Sequence, residues 1–437
     1  MTTGIFWFTN DLRLHDQPAL WKMQSVDKLI CVFCLDPQWF RPNGLNAKAM
    51  GERRLQFLVE SLKDLQQQLQ HVGQVLIIKQ QTPHLALTEL INKYNVDIIA
   101  RSQHAGVYEN RHWKLLQQQF PDLKFVTEPS HTLFSADDLP FQLNQLPTSF
   151  TQFRKQVEDL ALPRPMSIPQ QLPPTPGPIA VDEIPQPVFQ PSKFTGGETA
   201  ALKHINDYFS TDLPASYKTV RNELDGWTNS TKFSPWLALG CLSVRHLASR
   251  LKNYEQTKVS NDSTYWIYFE LLWREYFQWY AHRYGARLFR FDGIKKTKSR
   301  RCYYPERYQK WCNGNTPYPL VNACMKQLNA SGYMSNRGRQ IVASCFVHEL
   351  NLDWRFGAAY FEQQLIDYDV AANWGNWQYI AGVGADPRGG RQFNIEKQTR
   401  QYDPDGEFIR HWQGDIDIIP LDSVDAADWP IMPPPKK

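Results

Sequence analysis

Over the first 130 residues, short apolar runs alternate with amphipathic stretches. The runs are GIFWF at 4–8, LICVFCL at 29–35, VLIIK at 75–79, DIIAR at 97–101 and LKFVT at 123–127. Runs of this length, rich in β-branched and aromatic residues, predict buried strands. Between the second and third, Leu55, Leu58, Val59, Leu62, Leu65 and Leu69 recur at helical spacing, which predicts a helix over Glu52 to Leu69. Strands alternating with helices imply a doubly wound parallel sheet, covered on both faces through right-handed crossovers. Sites in such sheets lie beyond the carboxyl ends of strands, and the first of these ends is FTNDLRLHDQPAL. No G-x-G-x-x-G follows that strand and no G-x-x-x-x-G-K-[ST] occurs in the chain, which argues against the usual cradles for dinucleotide or P-loop phosphate.

The pattern then changes twice. From 131 to 195 the chain is dense in proline, including Pro163, Pro165, Pro169, Pro173, Pro174, Pro176, Pro178, Pro185, Pro187 and Pro191, which excludes long helices and predicts an extended connector over the surface. From 196 to 412 helical periodicity dominates, with helices expected at Glu198 to Phe209, Ser243 to Tyr254, Tyr265 to Tyr284 and Gly338 to Glu349. Residues 413–437 turn acidic and then proline-rich and read as a short peripheral tail. The expected class is therefore α/β plus all-α: residues 1–130 as a sheet domain, then a connector, then a large helical domain.

The 437 residues are 42% hydrophobic and 21% charged, which places the chain among globular proteins of two or three domains. A formal charge of +4 is too mild to announce a nucleic-acid binder, so charge distribution has to decide. Seven cysteines without paired spacing fit a reducing compartment. Cys31 and Cys34 form a C-x-x-C inside a strand, where they point to opposite faces and cannot share a metal; no metal site is expected. With no apolar run of about 18 residues and no basic start followed by an apolar core, no membrane contact is expected and a cytoplasmic location is.

The chemistry is concentrated between Gly332 and Tyr379. Trp354, Trp374 and Trp377 lie there with Asp367, Asp369, Arg337, Arg339, Asn336, Asn373 and Asn376. Such a mixture is either a crowded core with ion pairs or the surround of a planar ligand edged by amides and charges. Ser230, Thr231, Lys232, Phe233 and Ser234 precede Pro235, so they are either a simple helix cap or a phosphate cradle. Glu270 stands four residues before Arg274 on a predicted helix, as in an exposed ion pair, yet its neighbours Phe269, Leu271, Leu272 and Trp273 are apolar. Basic residues from Arg283 to Arg307, interleaved with Phe289, Phe291, Tyr303 and Tyr304, form either a solvated face or a phosphate-tracking surface.

IFWFTNDLRLHDQPAL, HTLFSADDLPF, FTQFRKQVE, NSTKFSPWLALGCLS, FELLWREYF, GYMSNRGRQIVAS, LDWRFGAAYF and LIDYDVAANWGNWQY, in this order and over nearly the whole chain, resemble the photolyase and cryptochrome family. STKFSPWLALGC, DDLPF and DPRGGRQFNIEKQ followed by YDPDGE look most like its DASH branch. The resemblance implies a helical domain that holds FAD in a folded form. It also implies blue-light-driven repair of cyclobutane pyrimidine dimers, preferentially in single-stranded DNA, by a monomer.

Residue by residue, the resemblance puts Tyr217 and Ser230 to Ser234 on the FAD phosphates, and Arg339, Asp367, Asp369 and Asn373 around the flavin ring, with Asn373 facing its N5. It puts Glu270 and Asn336 on the dimer, Trp273 and Tyr379 on the walls of the base pocket, and Arg274 and Arg337 toward DNA. Trp377 and Trp354 match the first two members of an electron path, while the third position falls on Arg301; Tyr303 or Tyr304 are the alternatives, and slower photoreduction is expected. Thr9 and Gln17 replace the Arg and Asn common in the first loop. Glu109 in VYENR suggests a pterin antenna, 5,10-methenyltetrahydrofolate. Three readings stay open at this point: a repair enzyme, a blue-light photoreceptor of the cryptochrome type, and a light-independent nucleic-acid-binding protein.

Overall fold

All five apolar runs form strands: β1 (Thr3–Phe8), β2 (Lys28–Cys34), β3 (Leu76–Lys79), β4 (Ile98–Ser102) and β5 (Lys124–Glu128). They pair in parallel in the order β3-β2-β1-β4-β5. The chain thus leaves β1 to either side, and a crevice opens where the order reverses, beyond Phe8 and Ser102. Cys31 packs with Phe6 and Phe8 on one face, whereas Cys34 packs with Ile5 and Trp7 on the other, as strand alternation requires. The first face is covered by α1 (Glu52–His71), which buries all six of its periodic apolar residues. The second is covered by α2 (Pro83–Tyr94) and α3 (Val107–Gln119) through Leu87, Leu90, Trp113 and Leu116. This computed structural model describes residues 1–297, 302–386 and 389–421.

The proline-rich connector departs from expectation at one point. Phe150–Val157 is a helix, capped by Ser149 and buried through Phe150, Phe153 and Val157. No proline lies between Pro147 and Pro163, so this stretch is free to form two turns of helix. Beyond them the chain is extended and crosses the sheet: Leu172 N donates to Val72 O (2.9 Å), Leu29 N to Pro174 O (3.0 Å) and Asp182 N to Ile78 O (2.9 Å).

Every other predicted helix forms, extended by up to three residues at its ends. The elements that carry the chemistry are α4 (Ser234–Ala238), α5 (Asp262–Tyr284), α6 (Asn336–Ser344), α7 (Trp354–Gln364) and α8 (Val370–Ala381). α6 runs directly into a π-helical turn, Cys345–Glu349. Residues 413–421 are fastened to the helical body, where Lys310 Nζ donates to Pro420 O (3.0 Å) and Asn322 Nδ2 to Gly414 O (3.0 Å).

The loop after β1 joins the two halves. Arg13, fully buried, donates to the carbonyls of His15 (3.0 Å), Asp16 (3.0 Å), Ser130 (2.9 Å) and Gly240 (2.8 Å). Glu198, equally buried, accepts from Leu14 N (2.7 Å) and His15 N (3.0 Å). Gln17 is bound within the loop to Asp11 and Ser102, whereas the Thr9 hydroxyl is buried without a hydrogen-bond partner.

Candidate functional site

The residues between 332 and 379 do not form one patch; they line two recesses. In the first, Arg339 Nη2 donates to Asp367 Oδ2 at 2.8 Å, and the other oxygen of Asp367 is buried without a hydrogen-bond partner. A buried carboxylate with an open acceptor is costly unless a ligand donor meets it. Tyr333 lies beside this pair: the Arg339 guanidinium is 5.4 Å and the Lys232 ammonium 4.8 Å from its ring centre. Burial pushes the Lys232 ammonium down to about 8. Lys232 also takes a left-handed backbone (φ 56°), unusual for a lysine and typical of a loop shaped for close approach.

The Ser230 and Ser234 side chains bear on the Tyr333 phenol, so hydroxyls, ammonium and guanidinium gather about one ring. This donor set suits an anionic diphosphate and a flavin edge. Asn373 is buried, and its Nδ2 donates to Ala358 O at 3.0 Å. Phe233 contributes backbone only, because its ring packs among His204, Tyr208 and Phe209.

A second group stands on α5 and α8. Trp273 and Tyr379, both half-buried, meet edge to face with centres 6.0 Å apart. Trp273 is backed by Phe150, stacked at 3.7 Å. Glu270 lies one helical turn away on α5, partly exposed, and forms an ion pair with Arg221. The expected pairing of Glu270 with Arg274 does not occur, because Arg274 turns inward to the carbonyls of His131 and Leu237. Burial raises the Glu270 pKa and Arg221 pulls it back. Tyr217 hydrogen-bonds Arg221 as well, so one guanidinium orders both side chains. Asn336 is exposed at the start of α6, and Arg337 Nη2 donates to Asn222 Oδ1 at 3.1 Å.

Asp369 belongs elsewhere. It caps α8, accepting from Ala372 N (2.8 Å), and its second oxygen accepts from Gln278 Nε2 (2.7 Å). Two residues from Asp367, it faces the second recess. This is a cavity of about 400 Å³ at the carboxyl edge of the sheet, whose walls include Thr9, Asn10, Glu109, Glu362, Asp369 and Trp374. Glu109 lies 3.6 Å from His104 Nδ1. Among the described residues no group of three or more His, Cys, Asp or Glu is placed to hold a metal, and no helix is long and apolar enough to cross a membrane.

Residues 4–176 match the DNA photolyase family and residues 266–432 match the FAD binding domain of DNA photolyase. The chain is 55% identical to the cryptochrome DASH of Idiomarina loihiensis, over 98% of this chain and 96% of that protein. It belongs to the photolyase and cryptochrome family. The cryptochrome DASH of Vibrio parahaemolyticus is 51% identical over 98% of this chain and 97% of its own length. The crystal structure of a Synechocystis cryptochrome superposes with a TM-score of 0.90 at 39% identity, covering 98% of this chain and 93% of that one. Membership carries the FAD-binding domain of a family that acts on DNA, and the first recess supplies donors in Arg339 and Lys232 and an acceptor in the open oxygen of Asp367.

Four residues at these sites escape sequence reasoning. Arg221 pairs with Glu270 across 49 positions, and its one local clue is its place four residues after Tyr217. Tyr333 had a signal in its position beside Asn336 and Arg339. Glu275 and Glu362 are buried carboxylates, each pushed up to about 7 by burial, and their partners come from distant parts of the chain. Of the basic residues after 282, Arg283 and Lys295 donate to backbone carbonyls, as does Arg307 to Leu350 O (3.2 Å), Arg290 is exposed and lies 3.7 Å from Asp292, and Lys296 is exposed. Lys298, Arg300 and Arg301 lie outside the described residues.

Proposed function

We propose that this chain repairs cyclobutane pyrimidine dimers in single-stranded DNA under blue light, acting as a monomer with bound FAD. The carrying observation is the Trp273–Tyr379 corner one helical turn from Glu270, beside a recess whose buried Asp367 oxygen lacks a partner. Reduced FAD, when bound, supplies on excitation the electron that opens the cyclobutane ring. Arg339 and Asp367 hold its polar ring edge; Tyr217, Ser230, Thr231, Lys232 and Ser234 hold the diphosphate. Asn373, its amide nitrogen committed to Ala358 O, offers the carboxamide oxygen to a ring N–H and stays neutral, which tolerates negative charge on the ring.

On the DNA side, Trp273 and Tyr379 stack the two pyrimidines taken out of the strand. Glu270, kept in place by Arg221, and Asn336 supply polar contacts to a base carbonyl where negative charge develops. A protonated Glu270 donates, and burial moves its pKa in that direction. Arg337 serves the phosphates, whereas Arg274, committed to carbonyls, positions α5 against His131. An extrahelical lesion is cheapest to reach in a single strand, because no pairing has to be broken.

The second recess suits a pterin antenna, 5,10-methenyltetrahydrofolate. Glu109 offers a carboxylate to the amino-pyrimidine edge of such a ring. Residues 1–130 then act as the antenna domain and 196–412 as the catalytic domain, joined by the connector at 131–195. The test is illumination of the FAD-loaded, reduced protein with dimer-containing oligonucleotides. Repair of the single strand ahead of the duplex is expected; no repair of either, with reduced FAD bound, overturns the proposal in favour of a photoreceptor.

A further inference from the structure

Trp374 has no part in the scheme above, yet its surroundings are built. Its ring meets Trp354 edge to face with centres 5.8 Å apart. It lies three residues before Trp377 on α8, so the two project from neighbouring positions on one helix face. Trp377 in turn rests on Gly357, one turn after Trp354 on α7: a Cβ at Gly357 would stand 2.3 Å from Trp377 Cη2. Three tryptophans from two helices therefore form one cluster, and Trp374 is the member that lines the 400 Å³ cavity at the sheet edge.

The indole N–H of Trp374 is held by Glu362 Oε2 at 3.3 Å and by the Tyr368 hydroxyl at 3.2 Å. A carboxylate at that distance stabilises positive charge on the ring and can accept its proton. Trp354 differs, since its Nε1 donates to Phe291 O, a carbonyl that takes no proton. Trp377 lies deeper, enclosed by Trp311, Phe346 and Phe361. Tyr303, the sequence alternative, is stacked on Phe356 with centres 4.2 Å apart, away from this cluster's N–H acceptors.

We propose that Trp374 is the terminal electron donor of this chain, with Glu362 as the base that takes its indole proton, and that replacement electrons enter through the sheet-edge cavity. The inference rests on the light-driven FAD chemistry proposed above. One electron passes inward from Trp377 on illumination, is replaced from Trp354, and then from Trp374. The Trp374 radical cation gives its Nε1 proton to Glu362 and persists as a neutral radical. A thiolate entering the cavity when no pterin fills it returns one electron and becomes a thiyl radical, and the proton moves back from Glu362 to the ring.

Burial holds Glu362 at about 7, so the base is available only above neutrality. The groups facing it are Arg54 from α1, Glu109 from α3, Tyr368 from the turn before α8, and Trp374 itself.

The experiment is transient absorption of the FAD-loaded protein with dithiothreitol as donor, together with FAD content and the spectral identity of the radical, for Trp374→Phe, Glu362→Gln, Tyr303→Phe and Trp377→Phe. Expected are a neutral tryptophan radical in the unsubstituted protein, its loss in Trp374→Phe with several-fold faster recombination, and a protonated, shorter-lived radical in Glu362→Gln; Tyr303→Phe leaves all of these unchanged. A long-lived neutral tryptophan radical in Trp374→Phe at normal FAD content overturns the proposal. If that variant fails to hold FAD, Glu362→Gln decides, and an unchanged radical lifetime there overturns it. Failure of the underlying reading looks different: Trp377→Phe would then photoreduce normally.

Discussion

Replacing Gly357 by alanine sets two effects of opposite sign against each other. In an unconstrained helix interior, alanine is favoured over glycine by about 1 kcal/mol. Here the added methyl would stand 2.3 Å from Cη2 and 2.6 Å from Cζ3 of Trp377. That ring is 2% exposed and hemmed in by Trp311, Phe346 and Phe361, so it cannot swing aside. Overpacking costs typically 1–3 kcal/mol, and an approach this close to a rigid ring belongs at the upper end. The net expectation is a loss of about 2 kcal/mol. Urea unfolding should show a lower midpoint at an unchanged slope, since the exposed surface hardly changes. Photoreduction in the FAD-loaded variant should slow if, as proposed, Trp377 is the innermost donor, because the strain falls on its ring. A midpoint that rises, as helix propensity alone would give, refutes the packing argument.

Lys232→Met should remove a pH dependence of FAD binding. With the ammonium pushed down to about 8, affinity for the diphosphate in the native chain should fall as pH rises through that value, read by titrating flavin-free protein. Glu275→Gln should destabilise by about 1–3 kcal/mol, because its carboxylate accepts Leu133 N, Phe134 N and Trp279 Nε1, and an amide leaves one donor unpaired. In the native chain the Glu275 carboxyl, raised from 4.5 to about 7, contributes stability present at acid pH and lost as pH climbs through that window; melting temperatures across it should show a slope that the variant lacks. Glu270→Gln should lower light-driven repair by about tenfold, equivalent to about 1.4 kcal/mol of electrostatic stabilisation, while dimer binding measured in the dark changes little.

The strands were legible because each is a run of buried apolar residues, and the parallel order follows from their alternation with helices. The proposed cofactor site draws on sequence-local phrases, Ser230 to Ser234 and Asn336 to Arg339. What escaped is tertiary. Glu270 looks paired with Arg274 from spacing alone, but burial of α5 turns Arg274 toward His131, and Arg221 fills the place. Asp367 and Asp369 read as one motif, yet the start of α8 between them sends one toward Arg339 and the other to the opposite recess. The short helix at Phe150 was hidden by a composition argument applied to a segment whose prolines lie further on.

The arginine at position 13 has a consequence for how the molecule comes apart. Its guanidinium satisfies four carbonyls, one of them Gly240 in the helical half and one Ser130 at the start of the connector. Pulling the sheet away from the helices would take from this buried charge its bond to Gly240 O, and from Glu198 its bonds to Leu14 N and His15 N. The two halves are therefore expected to melt in one transition, read as coincident unfolding by two spectroscopic probes. The separation of the sheet-edge cavity from the Arg339–Asp367 pair is thus a property of the folded molecule, and not of a hinge.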